Sequence, residues 1–120
     1  MTTRFLNNIE SGIGTIPTKV LSTTEPESLT VIGLNLANVT TAMVQVSVKL
    51  VVYVPNIDGT SSDEVSSQGY IMKNVMVAPQ SSLKIITNSE KLILSGNNSI
   101  VVFTNVPNSI DAIVSYVAIG

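Results

Sequence analysis

Ala42-Met43-Val44-Gln45-Val46-Ser47-Val48-Lys49-Leu50-Val51-Val52-Tyr53-Val54 is the stretch on which the fold turns. Its even positions are Ala42, Val44, Val46, Val48, Leu50, Val52 and Val54, an unbroken apolar face. Gln45, Ser47 and Lys49 sit among the odd positions. A period of two puts successive side chains on opposite sides of a strand, so this segment covers a core with one face and meets water with the other.

The segments around it repeat the pattern. Leu29 to Ala37 sets Ile32, Leu34 and Leu36 on one face, and Asn38-Val39-Thr40-Thr41 reads as a hairpin turn into the Val-rich strand. Pro55 to Gln68 is the longest polar stretch. It carries an Asp58-Gly59 turn signal and four serines, and it predicts a mobile loop between two paired strands. Further strands are predicted over Gly69 to Val77, Ser81 to Thr87, Lys91 to Leu94, Ser99 to Thr104 and Ile110 to Ile119. Asn88-Ser89-Glu90, Ser95-Gly96-Asn97-Asn98 and the Pro107 segment supply turns between them. Seven or eight short strands at this spacing predict an all-β chain, an antiparallel β-sandwich or jelly-roll-like barrel. Residues 1–24, with Gly12, Gly14 and Pro17, are expected to form an arm with a short strand near Lys19 to Ser22. Residues 25–120 are expected to form the single sandwich domain.

Composition agrees. Seventeen Val and thirteen Ile make a quarter of the 120 residues, and β-branched side chains suit a pleated surface. The polar residues are Ser, Thr and Asn more than Glu and Lys, which favours strands and turns. Charged residues are 12% of the chain, against about 25% in an ordinary soluble domain.

What is missing narrows the function. The chain has no His and no Cys, so the commonest general base and the thiolate ligand are both absent. Asp58, Asp63, Glu64, Glu90 and Asp111 are the carboxylates that could pair for acid–base work, but no spacing among them is informative. Asn56, Asp58, Asp63 and Glu64 do not follow a calcium-loop pattern, and Gly12-Ile13-Gly14 is an isolated Gly-x-Gly. No catalytic residue, metal or cofactor is expected. A formal charge of −2 with no basic cluster and few aromatics speaks against nucleic acid. The longest apolar run, Leu50 to Val54, is far short of the roughly 20 residues that span a bilayer, and no signal-peptide apolar region follows Arg4. Sugar binding would have to rest on Tyr53 and Tyr70, which flank the long loop and are expected to lie near each other.

Two strands are apolar on both sides. In Ile110 to Ile119 the second face carries Ile113, Val117 and Ile119, and Gly69 to Val77 sets Tyr70, Met72 and Met76 opposite Ile71, Val75 and Val77. A doubly apolar strand is either covered twice or covered by a neighbouring subunit. Tyr70, Met72, Met76, Ile113, Val117 and Ile119 are therefore the candidate interface, and a homo-oligomer is expected.

The order of segments also resembles a family. Leu29-Thr30-Val31-Ile32-Gly33-Leu34-Asn35-Leu36-Ala37-Asn38, Tyr70-Ile71-Met72-Lys73-Asn74-Val75-Met76-Val77-Ala78-Pro79 and Ser109-Ile110-Asp111-Ala112-Ile113-Val114-Ser115 are similar to strands of small virion structural proteins of tailed bacteriophages. The resemblance covers about residues 28–119, and the loop over 55–68 departs from it. It implies a β-sandwich in the virion, assembled in the host cytoplasm, with the major capsid protein or other virion proteins as partners. A trimeric capsid decoration (cement) protein is the first expectation. A neck or tail adaptor or fibre-attachment ring component is the second, and a glycan- or receptor-binding module is a more distant third.

Overall fold

The computed structural model describes residues 3–23, 27–54, 64–86 and 92–119. These residues form nine strands: β1 (Thr3–Ile13), β2 (Thr18–Thr23), β3 (Ser28–Asn38), β4 (Val44–Val54), β5 (Glu64–Val77), β6 (Ser82–Ile86), β7 (Leu92–Ser95), β8 (Asn98–Thr104) and β9 (Ile110–Ile119). One sheet has the order β1-β9-β3-β6, with β7 also on β3; the other has the order β2-β8-β4-β5. All pairings are antiparallel. The architecture is the expected sandwich, open at its edges rather than closed into a barrel.

The inner face of β4 is the one its alternation predicts, although Ser47 and Val51 of the other parity are buried as well. Val44, Val46 and Val48 are fully buried. They meet Leu34 and Leu36 of β3, Ile100 and Val102 of β8, and Ile110, Ala112 and Val114 of β9 in one core cluster. Apolar inner faces from two sheets filling one layer are what holds such a sandwich together.

Three expectations are corrected. First, Asn38 to Thr41 is not a hairpin turn. β3 pairs with β9, β6 and β7, whereas β4 pairs with β8 and β5, so the chain crosses from one sheet to the other at this corner. Asn38 fixes the corner: it is buried, its Nδ2 donates to Ala42 O (2.8 Å) and Val77 O (3.0 Å), and its Oδ1 accepts from Thr40 N (2.9 Å). Second, the strand after the polar stretch begins at Glu64, not Gly69, and pairs with β4 from Val54↔Glu64 onward. Residues 55–63 of the predicted loop lie outside the described residues, as do the Asn88-Ser89-Glu90 turn and Lys91.

Third, residues 3–23 are not an arm. β1 pairs with β9 from Thr3↔Ile119 to Glu10↔Ala112, and β2 pairs with β8. The β1 ladder ends in a bulge between Glu10 and Ile13, where Gly12 takes φ 67° and its N–H donates to the Asp111 carboxylate (2.9 Å). A left-handed residue at a bulge favours glycine.

Gly14, at the exit of β1, is required by space. A Cβ there would stand 2.9 Å from Pro107 Cα and 3.0 Å from Asn108 N, both backbone atoms. The same segment accepts from Ser109 N at Ile13 O (3.0 Å) and from Thr104 N at Gly14 O (2.9 Å). Gly14→Ala should therefore cost about 2 kcal/mol, since neither side of the contact can give way without losing these bonds. Urea unfolding measures it, and a neutral result would mean that the β8–β9 turn yields freely.

Candidate functional site

The six candidate interface residues do not form one surface. Tyr70, Met72 and Met76 belong to β5 and the four-stranded sheet; Ile113, Val117 and Ile119 belong to β9 and the five-stranded sheet. On β9 the alternation runs as read: Ile110, Ala112, Val114 and Ala118 are buried, while Ile113 and Ile119 stand out at 44% and 36% exposure. On β5 it does not. Asn74 takes φ 52° and the register with β4 slips between Val46 and Val48, so the two sides of the strand exchange roles. Tyr70 and Met76 remain exposed, but Met72 packs against the core beside Ile71.

The outer face of the five-stranded sheet adds to Ile113 and Val117 the apolar residues Phe5, Ile9 and Ile93, which sequence reasoning missed. Phe5, Val117, Thr30 and Ile93 stand side by side across β1, β9, β3 and β7. Ile9, Ile113, Asn35 and Lys84 make a second row, with Asn7, Ser115 and Gly33 between the two. Phe5 and Ile9 are 76% and 65% exposed, Ile93 64%. Among the described residues of this face the charged side chains are Lys84 and Asp111, and Asp111 is engaged by Gly12 N–H. A shallow depression of about 290 Å³ lies over Gly33, lined by Asn35, Lys84, Ile113 and Ser115. Phe5-x-x-x-Ile9 was a legible spacing, but Asn7 and Asn8 hid the strand that carries it.

The opposite face has another character. Three of the four lysines among the described residues lie over aromatic rings of the four-stranded sheet. Lys19 Nζ is 4.4 Å from the centre of the Tyr53 ring, Lys49 5.6 Å from Phe103 and Lys73 5.1 Å from Tyr70. Cations held over rings keep part of their charge compensated at the surface. Lysines spread along the sequence are thus collected on one side by the fold. Tyr53 and Tyr70 are not neighbours: Tyr53 pairs with Val65 and Tyr70 with Lys49, about 13 Å apart along the strands. The sugar site expected from their proximity is not built.

Asp111 is the one candidate carboxylate whose side chain is described, and it serves the bulge at Gly12. Asp58, Asp63 and Glu90 lie outside the described residues, as does the side chain of Glu64. Among the described residues no three His, Cys, Asp or Glu side chains come together. Every buried side-chain N or O among them has a hydrogen-bond partner. Ser109 and Thr104, both buried, each donate to Val106 O at 2.7 Å.

No protein-family model and no curated protein matches the sequence. Three solved structures are similar to this chain at low identity. A chain from Bacillus endospore appendages, disulfide-linked pili, is 9% identical with a TM-score of 0.45, covering 98% of this chain and 85% of that one. A chain of the T13 particle of infectious bursal disease virus is 14% identical with a TM-score of 0.43, covering 97% of this chain and 35% of that one. The VP2 subviral particle of the same virus gives 12% identity and a TM-score of 0.31, and this chain spans 41% of it.

Proposed function

We propose that this chain is a non-enzymatic structural subunit of a tailed-phage virion, a decoration protein that mounts on the outer surface of the capsid. The observation that carries the proposal is the outer face of the five-stranded sheet. Phe5, Ile9, Ile93, Ile113 and Ile119, with Val117 half-buried among them, give it exposed apolar area with almost no charge to desolvate, the composition of an interface core. The resemblance of strand segments over residues 28–119 to small virion proteins of tailed bacteriophages adds the setting. In this reading the apolar face is covered by the capsid or by copies of the chain, and the lysine-and-tyrosine face looks elsewhere.

The test is a census of the intact particle. Quantitative mass spectrometry of purified virions, with a map of the protein by cryo-electron microscopy, should find many copies spread over the head. A small ring of copies at the neck or tail would move the assignment to an adaptor. Absence from the particle would overturn the virion reading altogether.

A further inference from the structure

We infer that two copies of this chain pair through β1, antiparallel and about a two-fold axis at Asn7, joining their five-stranded sheets into one. The inference stands on the edge strand itself and does not depend on the particle.

Edge strands present unpaired N–H and C=O groups, and proteins usually blunt them. Three of the four edges here are blunted. β5 is broken by register shifts between Val46 and Val48, Val48 and Lys49, and Val52 and Tyr53 of its partner. β2 is six residues long and bulged between Lys19 and Leu21. The far edge of the five-stranded sheet is divided between β6, five residues, and β7, four. β1 has none of these protections. Among the described residues it pairs with β9 alone, in regular register from Thr3 to Glu10, with no Pro, no Lys and no bulge before Gly12.

The sequence of β1 is self-complementary in one register. With Asn7 opposite the Asn7 of a second copy, Arg4 falls opposite Glu10 twice, and Phe5 falls opposite Ile9 twice. Faces match as well. Phe5 and Ile9 both lie on the outer face, while Arg4 and Glu10 share the other parity. Opposed residues of an antiparallel pair have Cβ atoms about 5 Å apart, close enough for an ion pair or an apolar contact. Moving the axis by one residue either way loses the two Arg4–Glu10 pairs and sets Phe5 or Ile9 against Asn7. Arg4 is free to serve: its present contact with Glu27 is 3.5 Å long at a side chain 56% exposed. The contact is isologous, as two-fold interfaces are, and leaves the β5 side of the sandwich open for a different neighbour.

The chain has no cysteine, so single cysteines report the register directly. Asn7→Cys should form a disulfide-linked dimer on mild oxidation of the native protein. Phe5→Cys should not, because its partner sulfur would be about 13 Å away. Phe5→Cys mixed with Ile9→Cys should cross-link. By analytical ultracentrifugation Arg4→Glu should weaken the dimer about tenfold, and Arg4→Glu with Glu10→Arg should restore it. A chain that sediments as a monomer at every concentration, or Asn7→Cys and Phe5→Cys cross-linking equally, would overturn the pairing. Either result leaves the virion census unaffected.

Discussion

Leu36→Ala should lower the unfolding free energy by about 3–4 kcal/mol. Leu36 is fully buried on β3, set between Leu83 of β6 and Ala112 of β9 on the inner face of the five-stranded sheet. Its truncation removes transfer energy and leaves a cavity that stiff β-branched neighbours such as Val46 and Val48 fill poorly. The control lies one strand across. Ile113 of β9 is opposite Asn35, faces outward and is 44% exposed, so Ile113→Ala should cost under about 1 kcal/mol in the isolated subunit. Urea unfolding of the two variants side by side decides the matter. Equal losses would mean that the core and the outer face have been assigned to the wrong sides.

Asn38→Ala should cost about 3 kcal/mol through polar rather than apolar loss. The side chain holds the end of β3, the corner at Thr40 and Ala42, and the end of β5 with bonds of 2.8–3.0 Å. Alanine removes all of these at once and strips the buried Val77 carbonyl of a donor. Asn38→Asp should be no milder. It keeps the acceptor for Thr40 but turns a negative charge toward two carbonyl oxygens that now receive an N–H. An Asp variant as stable as the parent would show that the donor bonds contribute little.

These two residues also mark how far the sequence could be read. Leu36 was legible because alternation reports burial directly, and the same rule found the inner and outer sets of β9. Asn38 was legible as a turn residue but not as a corner between sheets. Asn and Thr satisfy local backbone groups in either setting, and sequence neighbours usually pair, so a hairpin was the natural expectation. β1 was missed because an edge strand covers little core: only Leu6 and Ile13 reach the apolar cluster, and Asn7 and Asn8 break the apolar rhythm. One residue of the candidate interface, Met72, went astray for a backbone reason. The φ of 52° at Asn74 cannot be seen in a pattern of alternation, and it sends Met72 inward. The grouping of Lys19, Lys49 and Lys73 over rings was invisible for another reason, since it arises from β2, β4 and β5 meeting through the sheet.

The pairing of β1 with β9 bears on how the protein is made. Thr3 lies beside Ile119, so the earliest-made strand of this sandwich is completed by its latest. Loops this long are slow to close. During synthesis β1 must wait, unpaired on both sides, while β3, β4 and β8 can already begin to collapse. A nascent chain stalled before residue 110 would hold half a sheet with no ninth strand, and the arrival of β9 becomes the event that commits the fold.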